Sequence, residues 1–403
     1  MPSRRRKTQA MRNGELLQRL GPDGWLLLPA CALAGLGLVM VASVAPTFSA
    51  AHDSIANSYY MFYRHMVFLG MGVVAALLAA AVPTHWLERS SRPLLLLSLL
   101  LVCLPLVPGL GVEKNDATRW IRFGPVDLQV VEAAKLAVVV YVAGYLARRA
   151  PLLRVRLFDT VKPLAVVMVM GVILDQHPDL GSAVVLAVVV FGMLFLAGAA
   201  WRHMFLLTGA SASLFAMAAT STGYQQARLT TFLDPFQDPT DSGYQLIQSF
   251  VAIARGEWFG VGLGGSVQKL QYLPEALTDF IFAVLAEEMG LLGVVLVLGL
   301  YTLLVARILV IGAQAHAAGR PFAGYLAWGL GLWIGMQSLT NIGVNMGVLP
   351  TKGLTLPLIS SGGSSLLVTC ITIGLLVRIK LDIDREALGP QGLGRAGEMR
   401  HVG

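Results

Sequence analysis

Long stretches without a single charged side chain recur along this chain and constrain its fold more than any other feature. Residues 25–51, 65–86, 93–112, 180–201, 204–227, 321–351 and 353–377 contain no Asp, Glu, Lys or Arg. Residues 128–147 and 280–306 are apolar apart from a few acidic residues and Lys135, and 163–174 is a shorter stretch of the same kind. A bilayer core about 30 Å thick takes roughly 20 apolar residues per helical span. The pattern predicts an all-α polytopic membrane protein with about ten transmembrane helices, an even number that leaves both termini on one side. Composition agrees, since 56% of residues are apolar and only 13% charged, against roughly 25% charged in soluble domains.

The net charge of +7 would suit a nucleic-acid surface, but its distribution argues otherwise. With Arg4, Arg5, Arg6 and Lys7 inside, about 21 of the 30 basic residues fall on inner segments, as the positive-inside rule expects. The topology accounts for the charge, and no nucleic-acid partner is expected. Cys31, Cys103 and Cys370 lie inside apolar stretches with no CxxC spacing, so neither a disulfide framework nor a zinc site is indicated.

Three parts follow from this division. Residues 1–23 form a basic inner tail, 24–382 the membrane domain and 383–403 a second inner tail. Within the domain, residues 221–278 turn polar and turn-rich, which predicts a long loop on the outer, periplasmic side between helices 7 and 8. A loop of that length is usually functional. Inside it Leu246, Phe250 and Ile253 recur at helical spacing while Gln245, Gln248, Ser249 and Arg255 take other faces, as in an amphipathic helix lying on a membrane surface.

Ionisable groups at membrane depth are the informative residues, because each is costly unless paired or wetted. Glu132 and Lys135, three apart in the fourth span, share a helix face and read either as a structural ion pair or as part of a polar cavity. Asp279 opens the eighth span directly after the long loop. It reads either as a helix cap with Thr278, or as a carboxylate partly withdrawn from water that acts as a general base or holds a divalent cation. Glu287 and Glu288 follow on other faces of the same helix, and at least one should meet a polar partner. Other motifs carry less. GVGLGG (260–265) has no preceding strand for a dinucleotide site, SVQK (266–269) has no transpeptidase domain around it, and SSGGSS (360–365) reads as a flexible re-entry into the last span. The scattered histidines suggest no metal site.

Several segments in order resemble the SEDS family (shape, elongation, division and sporulation) of polytopic peptidoglycan glycosyltransferases. They are GVEKNDATRWIRFG with QVVEAAK, HPDLGSAVV, YQQARLTTFLDPFQDPTDSGYQLIQS, GEWFGVGLGGSVQKLQYLPEALTDFIFAVLAEEMG and NIGVNMGVLPTKGLTLPLISSGGSS. GEWFGVGLGGSVQKLQYLPEA and TKGLTLPL resemble the cell-division branch more than the elongation branch. The resemblance implies polymerisation of lipid II into septal glycan strands in the inner membrane, beside a class B penicillin-binding protein and other division proteins. It places the family's essential carboxylate on Asp279 and its Glu and Lys of the fourth span on Glu132 and Lys135. Leu277 stands where the family usually has His. Arg119, Arg228, Lys269, Lys352 or a bound Mg²⁺ or Mn²⁺ are the candidates to meet the leaving diphosphate. The rival readings are a lipid II flippase, with Glu132 and Lys135 on the translocation path, and a non-catalytic scaffold that recruits the crosslinking enzyme.

Overall fold

A computed structural model describes residues 23–50, 59–107, 110–114, 117–123, 126–176, 179–219, 231–240, 243–351 and 353–398. The chain opens with three helices, α1 (Gly24–Ala50), α2 (Tyr60–Ala81) and α3 (Thr84–Cys103). Three short strands follow, β1 (Gly111–Lys114), β2 (Ala117–Phe123) and β3 (Val126–Gln129). The helices resume with α4 (Val130–Arg149), α5 (Leu157–Asp175), α6 (Leu180–Leu196) and α7 (Trp201–Ala219). The remainder is α8 (Tyr244–Gly256), α9 (Ile281–Ala317), α10 (Pro321–Asn345) and α11 (Gly363–Glu398).

Among the described residues six helices are long and apolar enough to cross a membrane: α1, α2, α3, α4, α5 and α9. The expectation of ten is therefore reduced to six by that measure. Helices also form at the other four expected positions, but α6 is short and α10 turns Gln337, Ser338, Asn341 and Asn345 into the protein interior. Polar groups that bond to protein rather than lipid dilute a helix's apolarity without weakening its place in the bundle. The stretch at 163–174 is extended by a polar first turn into the 19 residues of α5.

The all-α expectation is corrected by the antiparallel meander β1-β2-β3. Trp120 and Ile121 pair with Gln129 and Leu128 across β2 and β3, so the Thr-Arg-Trp-Ile-Arg-Phe run pairs as a strand. Its β-branched and aromatic residues favour that state. The meander leads straight into α4, whose start is tied to α11 by the Gln129 amide donating to Ser364 Oγ at 2.8 Å.

α4 is the centre of the bundle and packs against α3, α10, α6 and α11. Of its most apolar window 78% is buried, against 22% for α2, so α4 faces protein where α2 offers Val67, Val73, Leu77 and Leu78 to lipid. α2 lies along α11 so closely that a Cβ on Gly374 would overlap the Ala76 carbonyl. Small residues admit this backbone contact, which close van der Waals packing stabilises where lipid competes for apolar surface.

α9 is broken at Gly290, where φ is 65° and ψ −162°. A break inside an apolar helix frees backbone groups that must find partners. They find them in the loop after α8. Val261 N and Gly262 N donate to the carbonyls of Glu287 and Glu288, at 3.0 and 3.1 Å. Leu291 N and Leu292 N donate to the carbonyls of Glu257 and Trp258, at 2.9 and 3.2 Å. The glycine-rich GVGLGG serves this junction: Gly260 has φ 77°, and a Cβ there would overlap the Glu288 carbonyl.

Candidate functional site

Asp279 lies one residue before the cap of α9, not at it. The N-cap is Phe280, with no side-chain cap bond, and the Thr278 hydroxyl bonds Glu275 instead, at 2.6 Å. The capping role is filled from another helix, because Ala283 N donates to Asn345 Oδ1 at 3.1 Å.

The backbone that carries Asp279 is clamped. Its carbonyl accepts from Asn341 Nδ2 at 2.8 Å and from Asn345 Nδ2 at 2.9 Å. Thr278 O accepts from Ser360 Oγ at 2.6 Å, and Leu277 O from Ser361 N at 2.9 Å. Asn341 Nδ2 also reaches Leu354 O at 2.6 Å, and Ser249 Oγ of α8 donates to Asn345 O at 2.8 Å. Two corrections follow. SSGGSS is a fixed brace, with Ser360, Ser364 and Ser365 all buried. The inner face of α8 runs through Leu246, Ser249, Ala252 and Gly256, so Ser249 belongs to the face that meets the bundle.

The side chain of Asp279 points over Gly353. Its Oδ2 lies 3.2 Å, and Arg119 Nη1 3.9 Å, from where a Cβ on Gly353 would stand. β2 therefore delivers Arg119 to the same small space as the carboxylate, and any larger residue at 353 would fill it. Both side chains are half-buried. A carboxylate beside a guanidinium at the mouth of a bundle offers a proton acceptor and an anion stabiliser together. Among the described residues no group of three His, Cys, Asp or Glu side chains is placed to hold a metal ion. Arg228 and Lys352 lie outside the described residues.

A second network surrounds Glu132 and Lys135. Lys135 Nζ donates to Glu132 Oε1 at 2.8 Å and Gln337 Oε1 at 3.2 Å, and sits 5.4 Å from the Trp333 ring centroid. Gln337 also accepts from Trp333 Nε1 at 2.9 Å and donates to Thr355 O at 3.1 Å. Thr355 Oγ1 bonds Ser365 Oγ at 2.8 Å. The pair is thus a bracket that joins α4, α10 and the segment after Gly353.

Lys269 belongs to neither group. Its Nζ donates to Glu288 Oε1 and Ser43 Oγ, both at 2.8 Å. Ser43 Oγ in turn bonds Glu288 at 2.6 Å. Its charge is neutralised at the elbow of α9, which corrects the expectation that it meets a diphosphate. Glu287 accepts from Ser266 Oγ at 2.5 Å and Val267 N at 3.1 Å, with Arg255 Nη1 at 3.7 Å. Both glutamates therefore meet polar partners. Asn341, Asn345 and Gln337 have no place among the candidates drawn from the sequence, and Ser360 enters there only within SSGGSS. The signal was present in NIGVN, two amides four apart on one face of an apolar helix.

Comparison with known proteins agrees with this geometry. The family of cell cycle proteins comprising FtsW, RodA and SpoVE matches residues 25–384. A Nitrosococcus halophilus protein named Probable peptidoglycan glycosyltransferase FtsW is 48% identical over 362 residues, 90% of this chain and 92% of its own. Its namesake in Halomonas elongata is 47% identical over 94% of this chain and 95% of its own. A structure from work on the coordination of polymerization and crosslinking by a peptidoglycan synthase complex superposes with a TM-score of 0.73. It is 34% identical and covers 90% of this chain and 98% of its own. The rod shape determining protein RodA of Thermus thermophilus gives a TM-score of 0.65 at 32% identity, over 90% of this chain and 97% of its own. The chain belongs to the FtsW/RodA/SpoVE family of polytopic membrane proteins, known also as SEDS.

Proposed function

We propose that this chain is a peptidoglycan glycosyltransferase of the bacterial inner membrane that polymerises lipid II into glycan strands at the division septum. A class B penicillin-binding protein crosslinks the product, with other division proteins alongside. In this reading the six apolar helices and α6, α7, α10 and α11 make ten spans, both termini are cytoplasmic, and the loop at 221–278 is periplasmic. The names of the relatives support the enzyme class. The observation that carries the site is the shared space over Gly353, where Asp279 Oδ2 and Arg119 Nη1 converge on a clamped backbone.

Asp279 accepts the proton of the acceptor sugar's 4-hydroxyl as its oxygen attacks the donor's anomeric carbon. The bond from that carbon to the lipid diphosphate breaks, and the diphosphate leaves with the electron pair. Arg119 meets the negative charge that develops there. Lipid tails enter sideways between helices, which explains why an enzyme acting on water-soluble sugars is mostly membrane-embedded. Lys135 donates to both Glu132 and Gln337, which favours a bracket over a translocation path.

Purified protein with its crosslinking partner and labelled lipid II provides the test, read as glycan polymer on a gel. Asp279→Ala should abolish polymer while the protein stays folded and bound to its partner. Polymer at the normal rate from this variant would overturn the role of Asp279. Transbilayer movement of lipid II without polymer from the wild type would favour the flippase, and neither activity would favour the scaffold.

A further inference from the structure

Three rulers within the chain locate the membrane boundary on the Asp279 side. Arg307 bonds Asp23, with Nη2 to Oδ2 at 2.5 Å, and this charged pair at the start of α1 marks the opposite boundary. From Arg307 back to Gly290 is about 26 Å of helix at 1.5 Å per residue. Along α1, Gly24 to Ser43 is about 28 Å, and Ser43 bonds Glu288. The 22 residues of α2 carry exposed Tyr60 and Tyr63 at one end, next to exposed Tyr59, and Trp86 is exposed just beyond the other, as interfacial aromatics are. All three agree with a hydrocarbon core of about 30 Å.

Exposure changes at the same level. Residues 281–288 are buried to 2% or less. Immediately after the Gly290 break, Leu291, Leu292, Val295 and Leu296 are 42–58% exposed. The boundary therefore crosses α9 at its elbow and not at its start. Trp258 and Phe259 stand at this level, 67% and 79% exposed, on backbone tied to the elbow through the Trp258 carbonyl. Val261 and Leu263 are exposed beside them, and exposed Arg255 and Glu257 flank them on the polar side.

We propose that residues 257–263 form a lipid-contacting strap, with Trp258 and Phe259 seated in the headgroup–acyl boundary of the bilayer. Its occupant is the phospholipid surface, because the exposed strap is bonded through the Glu257 and Trp258 carbonyls to Leu291 and Leu292, where the exposed apolar row of α9 begins. Anchoring the elbow there sets the level at which the polar segment beyond it, Asp279 included, stands relative to lipid. The inference does not depend on the reaction proposed above.

The test uses the full chain in nanodiscs of phosphatidylethanolamine and phosphatidylglycerol. The three native cysteines are replaced, and a nitroxide is placed at Phe259→Cys, Leu296→Cys or Glu275→Cys. Oxygen and nickel-chelate accessibilities should place residue 259 between the other two. Its nickel accessibility should be several-fold below that of aqueous 275, and its depth shallower than that of 296. Nickel accessibility equal to that of 275 would overturn the proposal and leave the patch to a protein partner; a depth equal to that of 296 would overturn it as well. Lipids brominated near the headgroup or near the chain end supply a second reading with the cysteines intact. The wild-type fluorescence lost in Trp258→Phe should be quenched more by the first lipid, and absence of quenching by either refutes the strap.

Discussion

Replacing Asn341 and Asn345 by alanine, singly and together, tests whether the Asp279 backbone is held by a shared clamp. Asn345→Ala removes the bonds to Asp279 O and Asn341 O and the cap on Ala283 N. Asn341→Ala removes the bonds to Asp279 O and Leu354 O. A net hydrogen bond contributes about 1 kcal/mol, and a buried group left unpaired costs about 1–3 kcal/mol. Asn345→Ala should therefore destabilise by about 2–4 kcal/mol, and Asn341→Ala by somewhat less. In either single variant Asp279 O keeps one amide donor. Only the double variant loses both, so the loss should exceed the sum of the singles by about 1–3 kcal/mol, within the range of coupled neighbours. Unfolding midpoints in detergent give the stabilities and lipid II polymerisation gives the rates. Polymer formation should fall more in the double variant than the product of the single effects. Strict additivity in both assays would refute the clamp.

The bracket in α4 predicts an asymmetry. Lys135→Met leaves Glu132 buried without its cation and should cost about 3–5 kcal/mol, while adding Glu132→Gln should recover most of that loss; a Lys135→Met protein as stable as wild type would exclude a structural pair. Three alanine substitutions at glycines should differ in unfolding midpoint by backbone and space alone. Gly260→Ala, with its left-handed φ and its overlap with Glu288, should be strongly destabilising. Gly262→Ala meets nothing within 4 Å but keeps φ 92°, so its cost should be about 1–3 kcal/mol. Gly299→Ala, with no atom near its Cβ in α9, should stabilise by about 0.5–1 kcal/mol.

The sequence determined that this chain lives in lipid, because apolar length is a local property that a 30 Å core reads directly. It also placed Asp279, Glu132 and Lys135 among the residues to watch, since charge is rare at membrane depth. The strand at Ala117–Phe123 also has a local signal, in its β-branched and aromatic residues, but it is short beside the long apolar helices that flank it. What only the tertiary structure decided is partnership. Asp279 resembles a cap until Asn345, far away in sequence, is found on Ala283 N. Lys269 resembles a free cation until Glu288 and Ser43 are found around it. The glycines of GVGLGG have no evident purpose until α9 breaks opposite them. Each of these pairings joins segments separated by many residues, and sequence spacing carries no record of contacts made across a bundle.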